Sequence, residues 1–220
     1  MFYCIFSLAT TLGSDIILTS FNSEIGSTYS WIETNDPVMG GESTGNFSIS
    51  NNTGIFLGNC VNVPSLNAPG FCKINTQKKL KSTFPDLSDN NEGGLKIKFK
   101  TEHYNYDGYR IAFSAKNIPR TSIFGGGSFK AGFSKYLNKT NDWQIVSIPF
   151  NDFSYDWSAF TGECNTTDPN GQVHHCCSKD DNYKYCTNKT YLSNINELEL
   201  WAEGSVGLFS LYVETISSYK

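Results

Sequence analysis

The sequence predicts an all-β protein, an antiparallel β-sandwich built as a single unit over residues 15–220. Three observations lead there. Aromatic residues make up 15% of the chain and charged ones 17%, a composition rich in strand formers and poor in helix formers. Short apolar-alternating runs recur, separated by Gly, Asn, Asp or Pro clusters, the pattern of strands joined by turns. No long window holds an uninterrupted i, i+3, i+4, i+7 apolar pattern, so helices should be short and peripheral. Without crossover helices the strands pair antiparallel, and one polar face per strand favours two sheets packed face to face.

In chain order, Met1–Leu12 (MFYCIFSLATTL) is apolar and rich in small residues, and residues 1–14 read as a signal peptide. It carries no Lys or Arg, and an edge strand is the competing reading. The stretch is far shorter than the roughly 20 residues that cross a bilayer, and no other segment approaches that length. No transmembrane segment is expected.

Next comes Trp31–Gly45 (WIETNDPVMGGESTG). Asn35, Asp36 and Pro37 open a turn, and Gly40 and Gly41 permit backbone at positive φ. The segment is either a tight structural crossing or a binding loop with Trp31, Asn35, Asp36, Met39, Gly40, Gly41 and Ser43 as its contact residues. Strands are expected at 45–49 and 54–60. Cys60 and Cys72 then bracket a short loop containing Pro64 and Pro69, a spacing that suits a local pair.

The clearest strand is Leu95–Thr101 (LKIKFKT), with Leu95, Ile97 and Phe99 on a dry face and Lys96, Lys98 and Lys100 on a wet one. His103, Tyr104, Tyr106 and Asp107 follow as an exposed aromatic loop. Further strands are expected at 109–115, 144–150, 198–202 and 208–216. Gly125, Gly126 and Gly127 precede strand-like sequence rather than a helix carrying Lys, so they read as a hairpin loop and not a phosphate cradle.

Residues 160–191 stand apart, with four cysteines, two histidines and almost no aliphatic side chains. They cannot supply a core, and read as a surface insertion stapled by disulfides. With Cys4 inside the signal-like start, six cysteines remain as disulfide candidates: Cys60, Cys72, Cys164, Cys176, Cys177 and Cys186. His174, His175, Cys176, Cys177 and Cys186 offer zinc-type ligands, but adjacent ligands suit one tetrahedral ion poorly and no C-x-x-C spacing occurs; no metal is expected. Glycosylation sequons stand at Asn46, Asn51, Asn138, Asn165 and Asn188. With 22 Asn and 43 Ser plus Thr in 220 residues, about four arise by chance.

The net charge of −4 is spread along the chain, with no basic stripe for phosphates, which argues against nucleic acid. No nucleophile motif is present, no cofactor is implied, and the protein is expected not to be an enzyme. A glycan hydrolase would need a converging carboxylate pair, with Glu197, Glu199, Glu203, Asp152 and Asp156 as the candidates. A lectin-like module would stack Tyr104, Tyr106, Tyr155 and Trp157 on sugar rings, with Asn35, Asp36 or Arg110 binding hydroxyls.

Several ordered motifs add a family resemblance. NDPVMGGESTGNF, GIFLGN, PGFCKI, WQIVSIPFNDF and GLFSLYVETI together resemble the complex I intermediate-associated protein 30 family across about Trp31–Tyr219. The resemblance implies a galactose-binding-like jelly-roll sandwich and a chaperone-like role as an assembly factor, engaging a partner protein such as an assembly intermediate. It brings no catalytic residues. Asp36, Met39, Gly40, Gly41, Ser43, Gly58, Gly70, Phe71 and Trp143 carry over as fold-defining or surface-shaping positions. The signal-like start and the cysteine-rich insertion point to a secreted or lumenal glycoprotein, with the mitochondrion as the alternative and carbohydrate as the alternative ligand.

Overall fold

The computed structural model describes residues 15–22, 29–36, 40–77, 84–121 and 127–220. The expected signal peptide, Met39, Gly125 and Gly126 lie outside these residues. The described chain is an antiparallel jelly-roll β-sandwich carrying a disulfide-bonded surface insertion.

One sheet joins β1 (Ile16–Ser20), β3 (Thr44–Ser50), β4 (Thr53–Cys60), β8 (Gly94–Lys100), β11 (Gln144–Pro149) and β13 (Gly207–Tyr219). Its order is β11-β8-β13-β4-β3, with β1 also on β13. β13 is long enough to take β4 along Gly207–Val213 and β1 along Thr215–Ser218. The other sheet runs β10-β9-β12-β7-β2, from β2 (Trp31–Asn35), β7 (Phe71–Thr76), β9 (Tyr109–Ala115), β10 (Ser128–Gly132) and β12 (Ile195–Glu203). A small hairpin, β5 (Asn62–Val63) with β6 (Ala68–Pro69), links β4 to β7. Helix among the described residues amounts to α1 (Lys189–Leu192) and three 3-10 turns.

The core lies between the sheets because each strand turns its alternate apolar residues inward. Leu95, Ile97 and Phe99 of β8 are fully buried while Lys96, Lys98 and Lys100 point outward, half-buried. From the facing sheet come Ile74, Ile111, Phe113, Leu198 and Leu200, all fully buried. Phe113 sits 5.4 Å from both Phe129 and Phe153, ring centre to ring centre. Each such ring contributes about 1.5–3 kcal/mol of burial free energy, so the aromatic excess in the composition is spent here.

β12 departs from the expected alternation. Leu198, Leu200 and Ala202 face the core, yet the outward Glu199, Trp201 and Glu203 are buried too. The reason is the insertion, which lies over this face. It is approached through Ser154, which bridges to Lys130 at the β10 edge, and it is tied by Cys164–Cys176 and Cys177–Cys186. Asn188 caps the short α1 that returns the chain to β12, accepting from the Tyr191 amide at 3.1 Å.

Candidate functional site

The segment around Asp36 is a structural knot. β2 occupies Trp31–Asn35, where the sequence pattern predicts a loop, and Trp31 packs its ring on Phe21 and Phe47 at 5.8 Å. Asp36 follows and is buried. Its carboxylate accepts from the Ser43 amide, the Ser43 hydroxyl and the Phe71 amide, each at 3.1 Å. Ser43 Oγ in turn accepts from the Val61 amide at 3.1 Å, and Asn35 Nδ2 donates to the Gly45 carbonyl at 3.1 Å. A Cβ at Gly41 or Gly70 would overlap the Asp36 side chain, so both glycines serve close packing around one carboxylate. Gly40, at φ +74°, faces open space and makes the turn. Of the loop candidates, Asp36 and Ser43 are therefore occupied with each other rather than presented to a ligand.

The outward face of the five-stranded sheet holds a buried ionic cluster beneath the insertion. Lys130 Nζ lies 3.5 Å from the ring centre of Trp157 and 3.6 Å from that of Trp201, and pairs with Glu203 Oε1 at 2.6 Å. Burial pushes the Lys130 ammonium down to about 8, and Glu203 works against that shift. Trp201 Nε1 donates to Glu199 Oε2 at 2.6 Å, and Trp157 Nε1 to the Ser128 carbonyl at 3.0 Å. Arg110, buried as well, pairs with Glu163 at 2.5 Å. In the insertion, buried His174 bridges Asp156 and Asp168, with both ring nitrogens 2.9 Å from a carboxylate oxygen. Burial opposes the charged imidazolium, but the two carboxylates outweigh it and raise His174 above its ordinary value. A polar cleft of about 610 Å³ opens beside this cluster, lined by Asp107, Arg110, Lys135, Asp152 and Glu163 among others.

The outward face of the six-stranded sheet is different. Ile145 is 63% exposed, Leu208 60%, Trp143 42% and Leu57 38%. On the same face, Lys100 Nζ lies 5.8 Å from the Trp143 ring centre and 4.9 Å from that of Tyr212. Register puts Lys100 opposite Tyr212, and Tyr212 opposite Ile55, so these side chains form one row across the sheet. Tyr212 OH donates to Glu102 Oε1 at 3.1 Å. A shallow cleft of about 480 Å³ borders the row at Leu57, Leu208, Asn46 and Asn59.

The aromatic platform expected from sequence does not exist in that form. Tyr106, Tyr155 and Trp157 are buried, as is Arg110, and Tyr104 is half-buried. Tyr106 turns inward because its ring packs on Tyr109 and Phe209 and its hydroxyl reaches the Ser205 carbonyl. The carboxylate candidates are each engaged elsewhere: Glu197 by Asn75, Glu199 by Trp201, Glu203 by Lys130, Asp152 by Lys135 and Asp156 by His174. The four insertion cysteines are paired as disulfides, so their sulfurs are not available as zinc ligands. Cys60 and Cys72 are free and buried. The five sequon asparagines are all exposed. Sequence reading missed Lys130 and Trp201 as a pair, and Ile145, Leu208 and Tyr212 as a surface. The lysine alternation in β8 was the available signal for the second, since it marks which face is outward.

Fold and surfaces together define a β-sandwich module with one sheet face sealed by an insertion and the other open, with apolar side chains exposed among lysines. Residues 19–170 match the family model of complex I intermediate-associated protein 30 (CIA30). The chain belongs to this family. No curated protein matches it. Among solved structures it is similar to the family 11 carbohydrate-binding module from Clostridium thermocellum in complex with a β-1,3-1,4-mixed-linked tetrasaccharide, at 12% identity over 93% of this chain and 95% of that one, with a TM-score of 0.48. It is also similar to the family 30 carbohydrate-binding module of a Clostridium thermocellum cellulosomal cellulase, at 17% identity, 94% coverage of each chain and a TM-score of 0.41. For the agarase AgWH50C the values are 10% identity, 94% of this chain, 24% of that chain and a TM-score of 0.48.

Proposed function

We propose that the protein is a non-catalytic, chaperone-like binding module that engages a partner protein through the open face of its six-stranded sheet. The observation that carries this is the set of exposed apolar side chains Ile145, Trp143, Leu57 and Leu208 on that face, with the Trp143, Lys100 and Tyr212 side chains lying across it. Apolar and aromatic side chains gathered on one surface mark contact sites. The family description supports a complex I assembly intermediate as the partner class. The test is affinity capture of such intermediates by the purified protein and by an Ile145→Asp/Leu208→Asp variant. Both positions are exposed, so the variant should keep its unfolding midpoint and lose capture at least about tenfold. Equal capture by both proteins would overturn the proposal.

A second reading, a carbohydrate-binding module, draws on the Trp143 and Tyr212 rings that flank Lys100 beside Asn46, Asn59 and Glu102. Aromatic faces next to hydrogen-bonding groups suit sugar rings. A glycan array in which Trp143→Ala removes a signal would favour it, and a blank array would dismiss it. Passage through the secretory pathway is part of the proposal, supported by the two disulfides of the insertion. Localisation of a C-terminally tagged protein, with a glycosidase mobility shift, tests it; mitochondrial and unshifted protein would refute it.

A further inference from the structure

Among the described residues, Cys60 and Cys72 are the two thiols left over when the insertion disulfides are formed, and both lie in the core. Both are fully buried, Cys60 at the end of β4 in one sheet and Cys72 in β7 of the other. The Gly70 amide donates to the Val61 carbonyl at 2.8 Å, which holds the two chain segments together just beside them. Cys60 Sγ lies 3.2 Å from the carbonyl oxygen of Ala202, and Ala202 is the cross-strand partner of Cys72. The neighbouring Cys72 draws the Cys60 thiol down, and Cys60 in turn pushes that of Cys72 up. A Cβ at Gly45, on the strand paired with β4, would meet Cys72 Sγ at 3.2 Å, so the Cys72 side chain points across the core to the sheet that carries Cys60.

We propose that Cys60 and Cys72 close a third disulfide, stapling the two sheets directly beneath the Asp36 knot. The step is thiol–disulfide exchange with a small disulfide such as oxidised glutathione. The Cys60 thiolate attacks the disulfide and expels one thiol, then the Cys72 thiolate resolves the mixed disulfide and expels the second. Two protein thiols are oxidised and one disulfide is reduced to two thiols. The same class of oxidant is needed for Cys164–Cys176 and Cys177–Cys186. Because both sulfurs are sealed from solvent, closure belongs to folding, before the sandwich packs. For the same reason the closed bond resists reductant until the sandwich opens. The insertion differs, since Cys164, Cys176 and Cys177 are all half-exposed.

The test refolds the full chain in a buffer of reduced and oxidised glutathione, followed by alkylation in denaturant and a non-reduced chymotryptic map. Cleavage at Leu66 or Phe71 separates the two cysteines unless they are cross-linked. The expected result is a peptide joining Cys60 to Cys72, still present after native-state treatment with dithiothreitol that opens the insertion disulfides. Recovery of both cysteines alkylated, or of either linked to a different cysteine, would overturn the proposal. As a second measurement, the oxidised protein should unfold about 5–10 °C above a Cys60→Ala/Cys72→Ala variant. An unchanged midpoint would count against the staple even if the peptide were found, since a bond formed outside the native fold would not stabilise it.

Discussion

Replacing Asp36 by Ala tests whether the glycine-rich signature is architecture or contact surface. Three donors converge on that carboxylate, the amides of Ser43 and Phe71 and the Ser43 hydroxyl. Alanine leaves all three without it in a buried setting, where each unsatisfied donor costs about 1–3 kcal/mol. The Ser43 hydroxyl can still reach the Val61 carbonyl, at 3.5 Å, and water can enter the vacated space. These offsets bring the net loss to about 3–4 kcal/mol, or about 6–16 °C in midpoint for a domain of this size. Denaturant unfolding followed by tryptophan fluorescence measures it. Gly70→Ala supplies the sharper control, because its new Cβ would occupy the space of the Asp36 carboxylate. Its cost should shrink by more than about 1 kcal/mol in the Asp36→Ala background, where that space is empty. A loss below about 1 kcal/mol for Asp36→Ala, or strict additivity of the pair, would refute the structural assignment. So would abolished partner capture at temperatures where the variant remains folded.

Two further outcomes concern the covered face. Lys130→Ala removes the cation from between Trp157 and Trp201 and strands Glu203, so it should cost about 3–5 kcal/mol, most of it recovered in Lys130→Met/Glu203→Gln. Lys130 is lowered to about 8 from 10.5, so between those values the unfolded chain binds the extra proton and stability rises with pH. Denaturation at about pH 7.5 and 10 should show a more favourable pH response in wild type than in Lys130→Met; equal responses would remove Lys130 as the source. His174 runs the other way. Its folded value is raised, so its contribution is complete below about 6.5 and fades as pH rises through the folded value. Hydrogen exchange of 160–191, corrected for intrinsic rate, should be slower at about pH 5.5 than at 8.5, and His174→Asn should abolish the difference. Exchange independent of pH in wild type would refute a stabilising role for the His174 bridge between Asp156 and Asp168.

How much of this was legible in the sequence depends on whether the controlling contacts were local. β8, β9 and β11 were readable because each keeps a period of two with one face dry, and their observed bounds differ from the expected ones by a residue at most. β1, β2 and β7 were not read as strands. In β7 the outward Lys73 and Asn75 alternate with Cys72, Ile74 and Thr76, a face whose dryness depends on a pairing with β12 that no local pattern announces. The signature segment was legible as special, since two adjacent glycines after Asn-Asp-Pro demand unusual backbone. What it served was not, because Phe71 and Gly70, which complete the knot, lie some 35 residues downstream. Trp157 and Tyr155 were read as exposed for a related reason. They sit in a polar stretch, and only their distant partners show them to be buried, Tyr155 against Phe129 of the core and Trp157 over Lys130 and Trp201.

The two outward faces also bear on where a partner can bind. Glu199, Trp201, Glu203 and Lys130 would be a poor open surface, since an ammonium held between two indoles and a carboxylate is strong only while water is kept out. Trp157, which closes one side of that cage, lies in the segment leading into the insertion. The insertion and the sheet beneath it therefore depend on each other, and peeling one away to admit a partner would expose paired charges together with their desolvated rings. No such cost attaches to the six-stranded sheet. Its Lys96 and Lys98 already find partly exposed carboxylates at Asp15 and Glu214, and pairs of that kind contribute about 0–1 kcal/mol. Its apolar side chains gain by being covered. Binding at the open face thus requires no rearrangement of the sandwich, whereas binding at the sealed face requires undoing two disulfides' worth of structure first.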